Sequence, residues 1–399
     1  MARITRLSLV NYRNFREVDV APPAGVSVFH GGNAQGKTTL LEAAYTLAVG
    51  RSFRTERERQ VLNFDAARDG AAAYITGNAC VDGQSLMVVV GYQPTAREAV
   101  MSSGTDPDGP EPATLPPVTK QVRVNRQPST AAGLVGRIAA SLFSVDDLDL
   151  ALGSPAHRRR YLDVLISQGD RSYLRALQRF QAALRNRNGL LRRRREGHVD
   201  PEELKYWDEQ LVQSGAVVTF GRSRALERLS VIASSQHGEL SEPGQDLTLE
   251  YVPSIPPGTC VEDTATTFQR DLQRGSAREQ ATAITAVGPH RDNFAMHLNG
   301  LDAASFASRG QARTIALALR LAEAEYLAET RGDDPVILLD DVFSEMDDGR
   351  RERVLQKVAR YRQTLVTTTD VGPVRAALGD SAAYFRVADG SVTREASSQ

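Results

Sequence analysis

The sequence predicts an α/β fold, a largely parallel sheet with flanking helices, interrupted by an inserted α-helical lobe. Three observations predict it. A short apolar strand, Val26 to His30, runs into a glycine-rich turn and then a helix starting at Lys37. A second buried strand, Val336 to Asp340, ends in two adjacent carboxylates. Between them, from Pro155 to about Gln236, the apolar period is helical. A chain of 399 residues is long for one core, so two packed lobes are expected.

The elements follow in order. Residues 3–10 alternate as a strand, and Val18 to Val20 reads as its partner. A helix covers Lys37 to about Val49, and residues 72–92 hold one or two strands. Residues 94–118 carry six prolines among glycines and acids, the composition of a disordered surface insertion. Gln121 to Asn125 returns to strand. In the helical stretch Leu174, Leu177, Phe180 and Leu184 line one face, while Arg171, Arg175 and Arg179 repeat every four residues on another. Pro243 to Thr259 is extended, and a helix spans about 265–277. Strand is expected over 284–298, helix over 311–329, strand at 336–340, helix over 348–361 and strand at 364–368. The domain assignment is therefore a head from 1–145 and 280–399, with residues 146–279 as a basic helical lobe.

Composition is that of an ordinary soluble protein, 41% hydrophobic and 24% charged. No apolar run reaches membrane-spanning length, and Met1 to Arg6 lacks the apolar core of a signal peptide. The two cysteines, Cys80 and Cys260, have no partner at metal-ligand spacing, so a reducing, cytoplasmic setting is expected. Net charge is −1, but residues 158–195 hold twelve arginines against two aspartates. Such a segment is either a polyanion contact or a solvated helix face. Arginines spaced along one face meet phosphates without reading bases, so any DNA contact would be sequence-tolerant.

Gly31-Gly32-Asn33-Ala34-Gln35-Gly36-Lys37-Thr38 fits G-x-x-x-x-G-K-[ST], with Thr39 next. Its glycines let backbone N–H groups curl around phosphate oxygens, and Lys37 can reach the β and γ phosphates of ATP or GTP. The Thr38 hydroxyl can hold Mg²⁺, and Asp340 can join it directly or through water. Asp341 then stands where a base would polarise the attacking water. His290-Arg291-Asp292 is polar enough for catalysis, yet such a trio is more often a structural network.

Ser308-Arg309-Gly310-Gln311 precedes a long amphipathic helix, so it is a second anion site or an ordinary helix cap. In this order the P-loop, the 308–311 segment, Asp340-Asp341 and Ser344 to Asp347 resemble an ABC/SMC-like ATPase head, with P-loop, signature, Walker B and D-loop. Thr367 to Asp370 falls where such heads carry a switch residue, without its histidine.

More closely, the chain resembles the bacterial RecF family over nearly its whole length. The carriers are Asn11 to Arg16, Gly32 to Thr38, Ser52 to Thr55, Gly153 to Pro155, Arg158 to Asp163, Gly288 to Asp292, Ser308 to Gln311 and Leu339 to Glu345. Asn293, Arg309 and Ala312 depart from the pattern. The resemblance implies a compact head without a coiled coil, and an ATP-dependent homodimer that binds gapped or duplex DNA. Each signature segment would cover the γ-phosphate held by the other subunit. It also implies work with RecR and RecO to load RecA at single-strand gaps. Arg13 and Asn14 match the family position near the nucleotide, although that turn is equally a strand-end cap. A transporter ATPase subunit, a full SMC machine and a scaffold ordered by ATP are the competing classes. The interval between P-loop and signature lacks heptads for a long coiled coil.

Overall fold

The computed structural model describes residues 2–95, 115–197, 200–344 and 346–396. Most of the proline-rich insertion assigned to 94–118 lies outside them, as does Glu345. The chain divides into two compact units, residues 1–145 with 332–399, and residues 146–331. It first crosses where the sequence boundary was set, but it returns at Gly332 and not at 280. The cause is packing. The strand after 292 and the helix that follows the signature segment lie against the long helices of the second unit.

In chain order the first unit holds β1 (Arg3–Tyr12), β2 (Phe15–Val20), β3 (Gly25–His30), α1 (Lys37–Val49), α2 (Phe64–Arg68), β4 (Ala73–Val81), β5 (Gln84–Pro94), β6 (Val118–Val124), β7 (Gln127–Ser129), α3 (Ala131–Leu134) and β8 (Ala140–Ser144). The second holds α4 (Leu148–Leu152), α5 (Pro155–Gly169), α6 (Arg171–Glu196), α7 (Pro201–Leu240), β9 (Leu247–Val252), α8 (Val261–Thr282), β10 (Asn293–Leu298), β11 (Leu301–Asp302), α9 (Ala303–Phe306) and α10 (Arg309–Arg331). The chain then returns to the first unit with β12 (Val336–Asp340), α11 (Asp348–Val358), β13 (Gln363–Thr368), α12 (Gly372–Leu378), β14 (Ala382–Ala388) and β15 (Ser391–Arg394).

The first unit has two six-stranded sheets. One runs β2-β1-β4-β5-β6-β7 and is antiparallel throughout. The other runs β15-β14-β3-β13-β12-β8, parallel from β14 to β8, with β15 antiparallel at its edge. Helix α1 packs against strands of both sheets, which is why almost all its residues are buried. Gly77 on β4 is there for that contact, since a Cβ would lie 2.3 Å from Leu47 Cδ1. Gln363 ties the sheets together, as its amide both accepts from Ile4 N and donates to Ile4 O at 2.8 Å. β8, β14 and β15 were not foreseen, and the 284–298 strand shortens to 293–298 behind a turn of 3₁₀ helix.

The second unit is a helical body with a small antiparallel sheet, β11-β10-β9. Its basic segment is mixed. Arg171, Arg175, Arg179 and Arg185 are exposed on α6, as are Arg192, Arg193 and Arg194 near its end. Arg158 and Arg187 are buried. Arg187 donates to Asp208, Glu279 and Thr285 at 2.5–2.9 Å, an internal network. Of His290-Arg291-Asp292, Asp292 is buried, His290 is half-buried and Arg291 is exposed. Asp292 is 1% exposed and accepts from Arg222, Tyr251 and Ser254 N. Burial pushes the His290 imidazole down to about 4, so the ring is neutral near pH 7, with Nε2 against Thr285 O.

Inside α10, Arg320 lies between two carboxylates, bonded to Asp147 and to Glu323 at 2.6 Å. One guanidinium cannot compensate both buried charges, and burial pushes the Glu323 carboxyl up to about 7 from 4.5. A carboxyl raised on folding favours the folded state while protonated, below its ordinary value, and that contribution is lost as pH rises through 7. The stability of wild type relative to Glu323→Gln should therefore fall from pH 4.5 to pH 7, on the order of 3 kcal/mol. Urea unfolding of both proteins across this range measures it, and a difference that stays constant with pH would refute the assignment.

Candidate nucleotide-binding site

The P-loop joins the C-terminal end of β3 to α1, and β12 delivers Asp340 two strands away in the parallel sheet. This is the edge of an α/β sheet where ligands bind. The loop backbone explains its sequence. Gly31, Ala34 and Gly36 have φ of 156°, 62° and 109°, positive values that let a loop turn its N–H groups toward an anion. Gly36 must also stay bare, because a Cβ would lie 2.5 Å from Asn14 Nδ2 and 2.6 Å from Phe15 Cζ. The N-terminus of α1 has no side-chain cap, so its free N–H groups face the same loop.

Lys37 Nζ donates to Gly31 O at 2.9 Å and Gly32 O at 2.7 Å, arching over the loop. Burial pulls its ammonium down, while the charges of Asp341 and Asp340 pull it back up. Thr38 Oγ1 donates to Asp340 Oδ1 at 2.8 Å, and Thr367 Oγ1 donates to the same oxygen at 2.8 Å. Burial holds the Asp340 carboxyl above its usual range, against the pull of those two hydrogen bonds and of Arg54. Hydroxyl and carboxylate oxygens converging like this fit a hard cation such as Mg²⁺. Among the described residues no cluster of three His, Cys, Asp or Glu could hold a metal alone. The remaining ligands would be phosphate oxygens and water.

Asp341 follows with φ 51°, a left-handed conformation uncommon outside glycine. Its backbone N–H is held by Thr367 O at 3.2 Å and Thr367 Oγ1 at 3.1 Å. Its Oδ1 is buried and has no hydrogen-bond partner. A buried carboxylate oxygen left open beside a P-loop is poised for a ligand or a water.

Asn14 braces this loop, and Arg13 braces the helix that follows it. Arg13, itself at φ 55°, donates to both oxygens of Glu42 at 2.6 and 3.0 Å and to Gln60 O at 2.7 Å. Asn14 Nδ2 donates to Gln35 O at 3.0 Å and its Oδ1 accepts from Thr39 Oγ1 at 3.1 Å. Glu42 was not singled out in the sequence. It is fully buried one turn beyond Thr38, accepts from Ser52 Oγ at 2.5 Å, and has Arg54 Nη1 at 3.6 Å. Its signal was a charged residue among apolar ones on the helix after the motif, which demands a partner once buried. Thr367 was noted only for its place in the chain, and its bonds to Asp340 and Asp341 give it a part in the site.

Ser308 to Gln311 belongs to the second unit. Ser308 Oγ accepts from Gln311 N at 3.2 Å while Gln311 Oε1 accepts from Ser308 N at 2.9 Å, a reciprocal capping box at the start of α10. Ser308, Arg309 and Gly310 are exposed, and so is Phe306 just before them.

Fold and site together define a P-loop nucleotide-binding head of the ABC/SMC-like α/β class. The chain belongs to the RecF/RecN/SMC N-terminal domain family, whose model matches residues 3–390, and within it to the RecF proteins. It is 39% identical over 376 residues to the DNA replication and repair protein RecF of Herpetosiphon aurantiacus, covering 92% of this chain and 93% of that one. To the protein of the same name from Chloroflexus aggregans it is 37% identical over 397 residues, covering 98% and 99%. The structure of the recombination mediator protein RecF with ATP, described as part of the RecFOR pathway, superposes with a TM-score of 0.85 at 30% identity over 99% of this chain and 98% of that one. An Smc head domain from Pyrococcus furiosus shares the fold, with a TM-score of 0.54 at 15% identity over 99% and 96%. No helix of the described residues is long and apolar enough to cross a membrane.

Proposed function

We propose that the chain is an ATP-switched DNA-binding ATPase of DNA replication and repair, acting in the cytoplasm with RecO and RecR in the pathway that loads RecA at single-strand gaps. The observation that carries the ATPase is the convergence of Thr38, Asp340 and Thr367 beside an Asp341 carboxylate with one open oxygen. Gly31 to Thr39 would hold the triphosphate, with Lys37 at its β and γ phosphates. Bound there with Thr38 and Asp340, Mg²⁺ would neutralise charge on the phosphates. Asp341 would orient and deprotonate the attacking water.

Two copies would close on two nucleotides, each Ser308–Gln311 segment meeting the γ-phosphate held by the partner. What supports this is an exposed helix N-terminus with its own internal cap, which offers the remaining N–H groups to an anion. DNA would lie against the exposed arginines of α6. Arg171, Arg175 and Arg179 recur every four residues there, a phosphate contact with no base readout.

The test is ATP hydrolysis against protein concentration, with and without duplex DNA, for wild type and Lys37→Met. A rate that rises faster than linearly and increases with DNA supports the shared-site dimer, and Lys37→Met should show neither. A linear, DNA-indifferent rate would leave only a P-loop ATPase and bring forward the scaffold or transporter classes.

A further inference from the structure

We infer that the C-terminal hairpin of β14 and β15 is a positioning wall of the phosphate site, acting through Gln35 of the P-loop and through His30 just before it. The inference rests on the reading that this loop binds a nucleoside triphosphate.

Three contacts carry it. Gln35 Oε1 accepts from the backbone N–H of Asp389, at the tip of the hairpin, at 2.8 Å. Gly31 presses on the strand below, since a Cβ there would lie 2.2 Å from Val387 O. His30 Nε2 lies 2.8 Å from Glu395 Oε1, just past the hairpin. The start of the loop, its middle and the residue before it thus rest on one element.

That element is itself firmly built. Asp389 and Gly390 have φ of 48° and 71°, the paired left-handed residues of a two-residue hairpin turn. Phe385 stacks on Phe29 with ring centroids 5.0 Å apart, fixing β14 to β3. Arg375 bonds Glu395 and sits over the Tyr384 ring at 4.3 Å. From the other side, Asn14 holds the Gln35 carbonyl oxygen. Gln35 is therefore gripped twice, by its main chain and by its side chain.

A P-loop binds phosphate through the fixed directions of its N–H groups. A loop with left-handed residues at 34 and 36 has other conformations open to it unless it is held. Holding it before the ligand arrives removes an ordering cost from binding. No part of the Gln35 side chain is needed for phosphate charge, which Lys37 and the backbone meet. Its loss should act on the shape of the loop alone.

The experiment uses the full chain, with a fluorescent ATP analogue and Mg²⁺ as the probe and nucleotide-free thermal melting as the control. Gln35→Ala should weaken the analogue about fivefold, the scale of one net hydrogen bond, with melting unchanged. Glu395→Ala should weaken it similarly, and Glu395→Gln, which keeps an acceptor for His30, should restore it. Wild-type affinity in Gln35→Ala, or no rescue by Glu395→Gln, overturns the inference while leaving the nucleotide site standing. A wild-type chain that binds no analogue overturns both.

Discussion

Asp341→Asn should bind ATP about as well as wild type and lose hydrolysis by about 10²–10⁴-fold, the usual contribution of a positioned base. The variant separates chemistry from fold. Residue 341 sits at φ 51°, and asparagine adopts that region at least as readily as aspartate. Its N–H would still meet Thr367, because those bonds are made by the backbone. Asn also preserves the size of the side chain beside Lys37. What it removes is the negative charge and the basicity of the open Oδ1. Phosphate release at saturating ATP, together with equilibrium binding of an ATP analogue, measures the two effects separately. If the closed dimer is released by hydrolysis, the variant should also accumulate as a nucleotide-bound dimer on size exclusion. Normal turnover would move the base elsewhere, and a parallel loss of binding would make Asp341 a ligand-holding residue instead.

The core of this site was legible because the chemistry allows few substitutes. The motif at 31–38 fixes a strand before it and a helix after it, and both are present as β3 and α1. The apolar run ending at Asp340 could only be a buried strand delivering a carboxylate, and β12 is that strand. What the sequence did not disclose is what braces these residues. β14 carries its buried Phe385 and Val387 in alternation and meets β15 at Asp389-Gly390, a hairpin signal overlooked so near the chain end. β8 is five residues with Ala140, Leu142 and Phe143 beside serines, too short to separate from a piece of helix by periodicity.

The basic segment shows the limit of counting charges. Arg187 lies seven residues past Phe180, on the continuation of the apolar stripe of α6, and it is buried against Glu279. Its spacing set it apart from Arg171, Arg175 and Arg179, which stay exposed. The return crossing moved for a similar reason. Strand and helix patterns resume after residue 284, but pattern does not say which body a strand joins, and β10 pairs with β9 of the second unit.

Arg222→Ala should destabilise the second unit by about 3–5 kcal/mol, the cost of leaving buried charges without their counterion. Arg222 is 3% exposed on α7. Its Nε and Nη2 reach Asp163 on α5 at 2.9–3.1 Å, and its Nη1 reaches Asp292 at 3.0 Å and Pro289 O at 2.6 Å. Tyr173 and Tyr251 donate to the same two carboxylates at 2.6 and 2.5 Å, which orients but does not neutralise them. Without the guanidinium, the two carboxylates lose the cation that bonds both, while Arg159, whose charge also reaches them, bonds the Asp292 carbonyl oxygen instead. Lysine is no substitute, because one ammonium cannot span the fork that serves Asp163, Asp292 and a carbonyl at once. Urea unfolding at neutral pH, followed in the second unit where Trp207 reports, should show the loss. A loss below 1 kcal/mol would mean that the unit relaxes around the gap, and the network would then be a consequence of the packing between α5, α7 and β9 and not its cause.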